Sequence, residues 1–221
     1  MRNESGTIAA ISTAMSNSGI GIVRMSGEEA VEIAERIYKG KNEKKLSKQP
    51  THTIHYGYIV DGEDTIDEVL VMLMRGPHSY TGEDTVEINC HGGVYITNKV
   101  VDLCLHHGAR LAERGEFSKR AFLNGRIDLS QAEAISDIIT AKNSYASSLA
   151  LKGIQGSISH FIKDLKEELI QIITQIEVNI DYPEYEDVEE LTADKLLPMS
   201  TSLIEKMNKI IEDSKNIKLL K

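Results

Sequence analysis

The sequence predicts an α+β protein, in which a mainly antiparallel sheet with helices on one face precedes a purely helical region. Up to about residue 115, short runs rich in β-branched residues alternate with helical periodicity, and beyond it the apolar period is almost wholly helical. Apolar residues make up 41% and charged residues 27% of the 221 positions, which is sufficient for a hydrophobic core. We therefore predict an α+β domain over residues 1–118 and a helical domain over residues 119–221.

The strands of the first domain are predicted from period-two alternation and from the turns that bound them. The acidic segment Asp61-Gly62-Glu63-Asp64 separates two such runs and is typical of a β-hairpin turn. In the run TVEINC, apolar residues occupy every second position, so Glu87 between them faces away from the core. The predicted strands span residues 7–11, 20–25, 54–60, 68–74, 85–90 and 109–113.

Two helices are predicted to cover one face of this sheet. An apolar stripe over residues 30–37 follows Ser26 and Glu29, which have the spacing of a capping box. The second helix has the sequence VYITNKVVDLCLHHG and ends at Gly108, a typical C-terminal cap. The resulting order of strands and helices favours an α+β sandwich.

The second region is predicted to consist of long helices. Ser130 begins a second capping box, and a 3.6-residue apolar period continues until Asp181-Tyr182-Pro183 ends the helix. A last helix is expected around residues 192–215, interrupted or kinked near Pro198. These few helices carry more apolar surface than they can bury among themselves. We therefore expect an incomplete helical bundle whose remaining helices lie outside this chain.

Composition restricts the classes of function. With 25 Lys and Arg against 34 Asp and Glu, the net charge is −9, so nucleic acid can meet the chain only at local basic patches. The basic run KGKNEKKLSKQP is one such patch, although its simplest interpretation is a solvated loop. No apolar run reaches the ~20 residues of a membrane span, and the start does not resemble a signal peptide. Because two cysteines cannot form a disulfide framework, we expect a reduced cytoplasmic protein without a membrane segment.

Arg24, Glu87 and Arg126 are the candidate binding residues. Arg24 lies near the end of an apolar strand, where a cation is costly unless it is paired. It either clamps a ligand or forms an internal ion pair with a carboxylate such as Glu87. Glu87 either accepts two N–H groups of a pterin- or guanine-like ring or is a solvent-facing strand acid. Arg126 follows the Asn124-Gly125 turn and is either a ligand cation or a surface charge at a helix start.

Other residues give weaker indications of chemistry. The segment GPHSYTGEDTVEINCHGG is dense in turn residues and predicts a site-forming pair of loops. Its His91 has no accompanying Gly-x-Ser-x-Gly motif, which disfavours a hydrolase. Cys90 and Cys104 lack the spacing of zinc ligands, so we predict core thiols and no metal site. No acid–base dyad or nucleophile indicates a catalytic residue.

Four segments, taken together, resemble one known family. They occur in order along essentially the whole chain and read TIAAIST with GIGIVRMSG, GPHSYTGEDTVEINCHGG, RGEFSKRAFLNGRIDLSQAEAISDII, and QIEVNIDYPEYED. This text closely resembles the tRNA-modification GTPases known as the MnmE or TrmE family. The resemblance implies an amino-terminal dimerisation domain similar to folate-using one-carbon enzymes, followed by a helical domain that contains an inserted GTP-binding domain. It also implies that Arg24, Glu87 and Arg126 bind 5-formyltetrahydrofolate or a related one-carbon folate. Tyr80 and Tyr95 would lie beside the ring, and the family often has Lys in place of Arg126.

The resemblance further implies partners and a missing domain. No Gly-x-x-x-x-Gly-Lys-[Ser/Thr] loop occurs, so GTP, Mg²⁺ and K⁺ belong to a GTPase domain absent from this chain, and neither cysteine takes the role of the family's tail cysteine. In the family, a homodimer and an MnmG-type flavoprotein that uses NADH add a carboxymethylaminomethyl-type group to the wobble uridine of certain tRNAs. This chain would position the one-carbon folate. We expect tRNA at residues 39–48, at the 114–126 cluster, or mainly on the partner protein.

Two other interpretations stay open at this point. The chain is either a structural dimerisation scaffold without a ligand or an independent folate-dependent transferase. A tight, stoichiometric folate complex would separate the folate-binding module from the scaffold. Catalytic turnover by the isolated chain would favour the transferase, so whether the chain alone is an enzyme is left undecided.

Overall fold

The computed structural model describes residues 6–41, 45–181 and 192–218. It forms two compact units that divide between Asp128 and Leu129. The boundary predicted from the sequence lies earlier, between residues 118 and 119, which is inside the helix Glu116–Leu123. Because Glu116 and Arg120 of this helix are buried, the helix packs as part of the first unit.

A seven-stranded sheet forms the framework of the first unit. Its strands are β1 (Ile8–Ile11), β2 (Gly21–Ser26), β3 (Tyr38–Gly40), β4 (Thr53–Asp61), β5 (Asp64–Met74), β6 (Thr85–Cys90) and β7 (Arg110–Leu111). They lie in the order β3-β4-β5-β6-β2-β1-β7. Every neighbouring pair is antiparallel except β1 and β7, which are parallel. The prediction of an α+β fold with a mainly antiparallel sheet is confirmed.

Two helices, α1 (Ala30–Ile37) and α2 (Val94–His106), share one apolar core with the sheet. Strand residues at every second position enter this core, and Val71 and Ile88 among them are fully buried. The residues between them point to the opposite face, where Tyr56, Tyr58 and Leu70 are exposed. One face of the sheet is therefore buried and the other meets solvent, as period-two alternation predicts.

The start of α1 differs from the predicted capping box. Ser26 is the last residue of β2, and its hydroxyl pairs with the hydroxyl of Thr81 at 2.7 Å. Glu29 occupies the N-cap position without a side-chain capping bond, and its backbone N–H donates to Thr7 Oγ1 at 3.0 Å. Because β2 extends through Ser26, this serine cannot reach the first turn of α1. The capping-box prediction at this helix is therefore wrong.

Two short strands alter the predicted edges of the sheet. The chain forms β3 directly after α1, and the Tyr38 hydroxyl donates to the backbone carbonyl of Tyr56 at 2.7 Å. This strand is absent from the sequence prediction because three residues are too few to show alternation. At the other edge, the strand predicted over 109–113 is reduced to β7.

The second unit is helical, as predicted. Following α3 (Glu116–Leu123) in the first unit, its helices are α4 (Leu129–Thr140), α5 (Ser144–Ile154), α6 (Ser157–Asp181) and α7 (Ala193–Lys218). Because α4 begins at Leu129, Ser130 lies inside the helix and does not precede it as a cap. The helix α6 is described as far as Asp181, and the predicted stop at Tyr182 and Pro183 lies outside the described residues. The last helix continues through Pro198 without interruption.

Large apolar side chains of α6 and α7 are exposed. They include Leu169, Ile173, Ile204, Met207 and Ile211. Exposed apolar surface of this extent favours contact with further protein. The incomplete bundle stays a prediction that this surface supports.

Candidate functional site

Arg24 and Glu87 form an ion pair on the sheet face opposite α1 and α2. The two residues face each other directly in the antiparallel register of β2 and β6. Arg24 Nε and Nη2 both lie 2.7 Å from Glu87 Oε1. The side chains are 27% and 14% exposed, respectively, so the pair is shielded yet reachable from solvent. The internal ion pair with Glu87, one of the two sequence-based interpretations of Arg24, is therefore present, and ligand binding by Arg24 stays a prediction.

Two aromatic rings lie against the Arg24 guanidinium. The Arg24 Cζ atom is 5.3 Å from the ring centroid of Tyr80 and 5.6 Å from that of Phe117. Tyr80 comes from the loop between β5 and β6, and Phe117 comes from the first turn of α3. The Tyr80 hydroxyl also lies 2.9 Å from Ser118 Oγ, which ties the loop to α3. Both rings are within the range of a cation–π interaction.

The sequence names Tyr80 and Tyr95 as the aromatic residues of the site, but only one of them lies at the Arg24–Glu87 pair. Tyr80 is among the expected residues and contacts Arg24. Tyr95 is 76% exposed and belongs to α2, which packs on the opposite face of the sheet. Phe117 is not among the aromatic residues that the sequence predicts, although it stands in the segment RGEFSKR, on which the family resemblance is based. Its position within a matched segment is the signal that could have indicated it.

The geometry of the pair allows both residues to bind a ligand as well. Both short contacts from Arg24 end on Oε1 of Glu87, which leaves Oε2 outside the pair. A carboxylate oxygen accepts hydrogen bonds, and the remaining guanidinium nitrogen Nη1 of Arg24 donates them. A flat heterocycle with neighbouring N–H and C=O groups matches this combination of acceptor, donor and aromatic rings.

Arg126 is exposed in the turn that follows α3. Its backbone N–H donates to the carbonyl of Ala121 at 2.8 Å, and the preceding Gly125 has a positive φ of 68°. Within the described part of the chain, the side-chain contacts join Arg24 to Glu87 and to the two rings but do not include the Arg126 guanidinium. The structure therefore brings together two of the three candidate residues directly.

Arg120, part of the basic cluster expected at 114–126, is buried. It is 8% exposed and pairs with two carboxylates, those of Glu83 at 2.9 Å and Glu116 at 3.3 Å. Glu116 also accepts a bidentate ion pair from Arg110. These carboxylates neutralise the charge of Arg120 inside the first unit. The expectation that Arg120 contributes to a basic surface for nucleic acid is therefore wrong.

His91 and the cysteines have structural surroundings. The backbone N–H and ring Nδ1 of His91 both contact the Asp67 carboxylate at 2.7 Å, which fixes the end of β6 against β5. Cys90 and Cys104 are buried in the core of the first unit, as predicted, and burial raises the pKa of their thiols to about 11 and about 12. Across residues 6–41, 45–181 and 192–218, no cluster of three or more His, Cys, Asp or Glu side chains could hold a metal ion.

In the portions of the chain that the structure describes, no helix combines the length and apolar character needed to cross a bilayer.

Comparison with known proteins assigns both units of the chain. A family model described as the GTP-binding protein TrmE N-terminus matches residues 7–126, and a second, described as the MnmE helical domain, matches residues 129–221. The chain belongs to the MnmE (TrmE) family. The two MnmE matches meet where the structure divides, between Asp128 and Leu129. The family resemblance read from the four sequence segments is confirmed.

Individual MnmE relatives agree with this assignment. The tRNA modification GTPase MnmE of Bacillus pumilus is 52% identical over 217 residues, which cover 97% of this chain and 47% of that protein. The protein of the same name from Lysinibacillus sphaericus is 51% identical over 220 residues, 99% of this chain and 48% of its own length. The Staphylococcus epidermidis protein is 50% identical over 217 residues, 97% of this chain and 47% of its own length. The chain thus spans about half the length of these relatives.

Proposed function

We propose that this chain is the folate-binding, dimerising portion of a tRNA-modification GTPase. The observation that supports this most strongly is the Arg24–Glu87 pair, which presents an acceptor, a donor and two aromatic rings at one place on the sheet. The ligand would be 5-formyltetrahydrofolate or a related one-carbon tetrahydrofolate. Family membership favours this ligand over the other flat heterocycles that the same groups could accept.

Each candidate residue has a distinct part in this proposal. Glu87 accepts the paired N–H groups of the pterin, and Arg24 donates to its carbonyl oxygen. Arg126, exposed beside α3, meets carboxylate or carbonyl oxygens of the folate. Each charge-assisted hydrogen bond contributes roughly 1.5–3 kcal/mol relative to the same group left unpaired. The folate supplies the one-carbon unit, and the chain holds and orients it.

The complete reaction involves partners that lie outside this chain. The relatives are named tRNA modification GTPases, and the proposal extends that activity to the protein to which this chain corresponds. There, an MnmG-type flavoprotein would join in adding a carboxymethylaminomethyl-type group to the wobble uridine of tRNA. GTP, Mg²⁺ and K⁺ would act in a separate GTPase domain. We place the protein in the cytoplasm, where free thiols such as those of Cys90 and Cys104 persist.

Dimerisation and tRNA contact are assigned to different surfaces. The exposed apolar side chains on the solvent-facing side of β4 and β5, Ile54, Tyr56, Tyr58 and Leu70, provide surface that a second copy could bury. For tRNA, Lys39, Lys45 and Lys48 remain candidates because they belong to the basic run near β3.

The test is titration of the purified chain with 5-formyltetrahydrofolate by calorimetry, with sedimentation velocity in parallel. Saturable binding by a dimer that disappears in Glu87→Ala would support the proposal. A matched control is Glu32→Ala, which removes an exposed carboxylate on α1, on the other face of the sheet, and is expected to bind like the wild type. A folded dimer that binds no folate would leave the scaffold interpretation. Turnover of the folate by the chain alone would indicate the transferase.

A further inference from the structure

We propose that Arg120 is a positioning residue for the folate site, because its buried ion pairs hold α3 and the β5–β6 loop around Arg24. This inference rests on the proposed folate function and extends it to a residue that contacts none of the candidate ligand-binding side chains. The Arg24 guanidinium of β2 is enclosed by the β5–β6 loop and by α3, two segments that are distant from it in the sequence.

The Arg120 guanidinium connects α3 to separate parts of the first unit. Its Nη1 donates to Glu83 Oε2 at 2.9 Å, and its Nη2 donates to the carbonyl of Gly6 at 2.7 Å and to Glu116 Oε1 at 3.3 Å. The same Oε2 of Glu83 accepts a hydrogen bond from Ser26 Oγ at 2.8 Å. Since Ser26 is two residues beyond Arg24 in β2, the network reaches the strand that carries Arg24.

The two elements that Arg120 joins are those that supply the rings against Arg24. Phe117 lies one turn before Arg120 in α3, and Tyr80 lies in the loop that contains Glu83. Neutral hydrogen bonds also link these elements, one between the Tyr80 and Ser118 hydroxyls and one from Asn124 Nδ2 to the carbonyl of Thr81 at 2.8 Å. Charged, buried contacts are stronger and more specific in geometry than these neutral ones. Arg120 therefore determines how closely α3 and the loop approach each other.

The same helix fixes the third candidate binding residue. The backbone N–H of Arg126 donates to the carbonyl of Ala121, the residue that follows Arg120 in α3. A shift of α3 would therefore move the backbone of Arg126 together with the Phe117 ring. Loss of the Arg120 contacts is therefore expected to loosen the Tyr80 ring, the Phe117 ring and the backbone of Arg126 together.

The first experiment measures the affinity of the full 221-residue chain for 5-formyltetrahydrofolate. Arg120→Met is expected to weaken binding by about tenfold or more, while Arg120→Lys, which keeps the charge but not the planar fork, restores part of the affinity. Lys99→Met removes an exposed ion pair elsewhere in the first unit and should leave affinity unchanged. Ile33→Val, in the core on the opposite face, provides a control for a general loss of stability.

A second measurement follows Arg24 itself and does not need a ligand. The Nε–H of Arg24, hydrogen-bonded to Glu87, is observable by ¹⁵N NMR, and its chemical shift and exchange rate should change in Arg120→Met but not in Ile33→Val. A double-mutant cycle between Arg120→Met and Phe117→Leu should show coupling in the free energy of unfolding, because both changes disturb the contact between the Phe117 ring and Arg24. A purely structural role of Arg120 would change the unfolding midpoint and leave the Arg24 signal as it is.

The outcomes separate this inference from the proposed function. If the wild type binds folate and folded Arg120→Met binds equally well, the positioning role is wrong while the folate function stands. If the wild type binds no folate, the proposed function fails, and an unchanged Arg24 signal in Arg120→Met would overturn the positioning role as well. Should Arg120→Met not fold, Glu83→Gln keeps an oxygen acceptor for Ser26 and removes the charge opposite Arg120. Wild-type affinity in folded Glu83→Gln would then contradict the inference.

Discussion

His91 and Asp67 contact each other twice across the end of the sheet. The backbone N–H of His91 donates to Asp67 Oδ2 at 2.7 Å, and His91 Nδ1 lies 2.7 Å from Oδ1 of the same carboxylate. The hydrogen bond to Asp67, followed by the attraction of its charge, raises the pKa of the His91 imidazole above its ordinary value of 6.5. The contact therefore depends on pH in a defined direction.

This pair predicts a loss of stabilisation as the pH rises. Because the pKa is raised in the folded state, the contribution of protonated His91 is fully present below pH 6.5 and disappears as the pH passes through the folded-state pKa. Urea unfolding of wild type and His91→Asn should show a difference in the free energy of unfolding that shrinks with increasing pH. An NMR titration of His91 gives the direct check, and a pKa at or below 6.5 would contradict the prediction.

The contribution of the Glu116 carboxylate to stability is expected to depend on pH in the opposite direction from that of His91. The hydrogen bonds from Arg110 lead the causes that lower its pKa from 4.5 to about 2, and the backbone N–H of Glu113 and the charge of Arg120 assist. The stabilisation of the folded state by ionised Glu116 is therefore present above pH 4.5 and is lost as the pH falls towards 2. Glu116→Gln should therefore have a lower free energy of unfolding than the wild type at pH 7. This difference in the free energy of unfolding should decrease in acid. Exposed Glu28→Gln is the control, and equal acid sensitivity of both variants would refute this assignment.

The position of Glu87 illustrates what the sequence can predict. Side chains in a strand alternate strictly, so the apolar residues of β6 place Glu87 on the face away from the core. An arginine among apolar neighbours needs a counter-charge, and this requirement names Glu87 as a partner for Arg24 before the register is known. Local periodicity and the cost of an unpaired charge are therefore together sufficient to predict the Arg24–Glu87 part of the site.

Phe117 and Arg120 show why the remainder could not be predicted. Their contacts form only because α3 returns to the sheet after α2 and β7, and no local pattern encodes that return. In the sequence, Arg120 stands beside Lys119 and Arg114 and therefore looks like part of a basic surface. Its burial becomes evident only when the carboxylates of Glu83 and Glu116 are seen next to it.

Gly57 in β4 occupies a position where an added methyl group is expected to destabilise the fold. A Cβ atom at this position would lie 2.5 Å from Tyr38 Cε2 and 2.6 Å from the carbonyl oxygen of Lys39. Because one of these neighbours is backbone of the adjacent strand β3, the strain cannot be relieved by a side-chain rotation alone. Gly57→Ala is expected to lower the free energy of unfolding by about 1–3 kcal/mol in urea titrations. Gly19→Ala, where nothing lies within 4 Å, should change it far less, and equal effects would refute the steric explanation.

The two thiols of the core predict slow chemical modification of the native protein. Burial raises the pKa of Cys90 to about 11 and that of Cys104 to about 12, so both are protonated at pH 8 as well as shielded. With a disulfide reagent at pH 8, native protein should react slowly, and the protein in urea should react rapidly at both cysteines. Ser148→Cys on the exposed side of α5 provides a rapidly reacting thiol in the same fold. If Cys90 or Cys104 reacted in the native state as fast as this added thiol, the core packing around α2 and β6 would have to be looser than the structure shows.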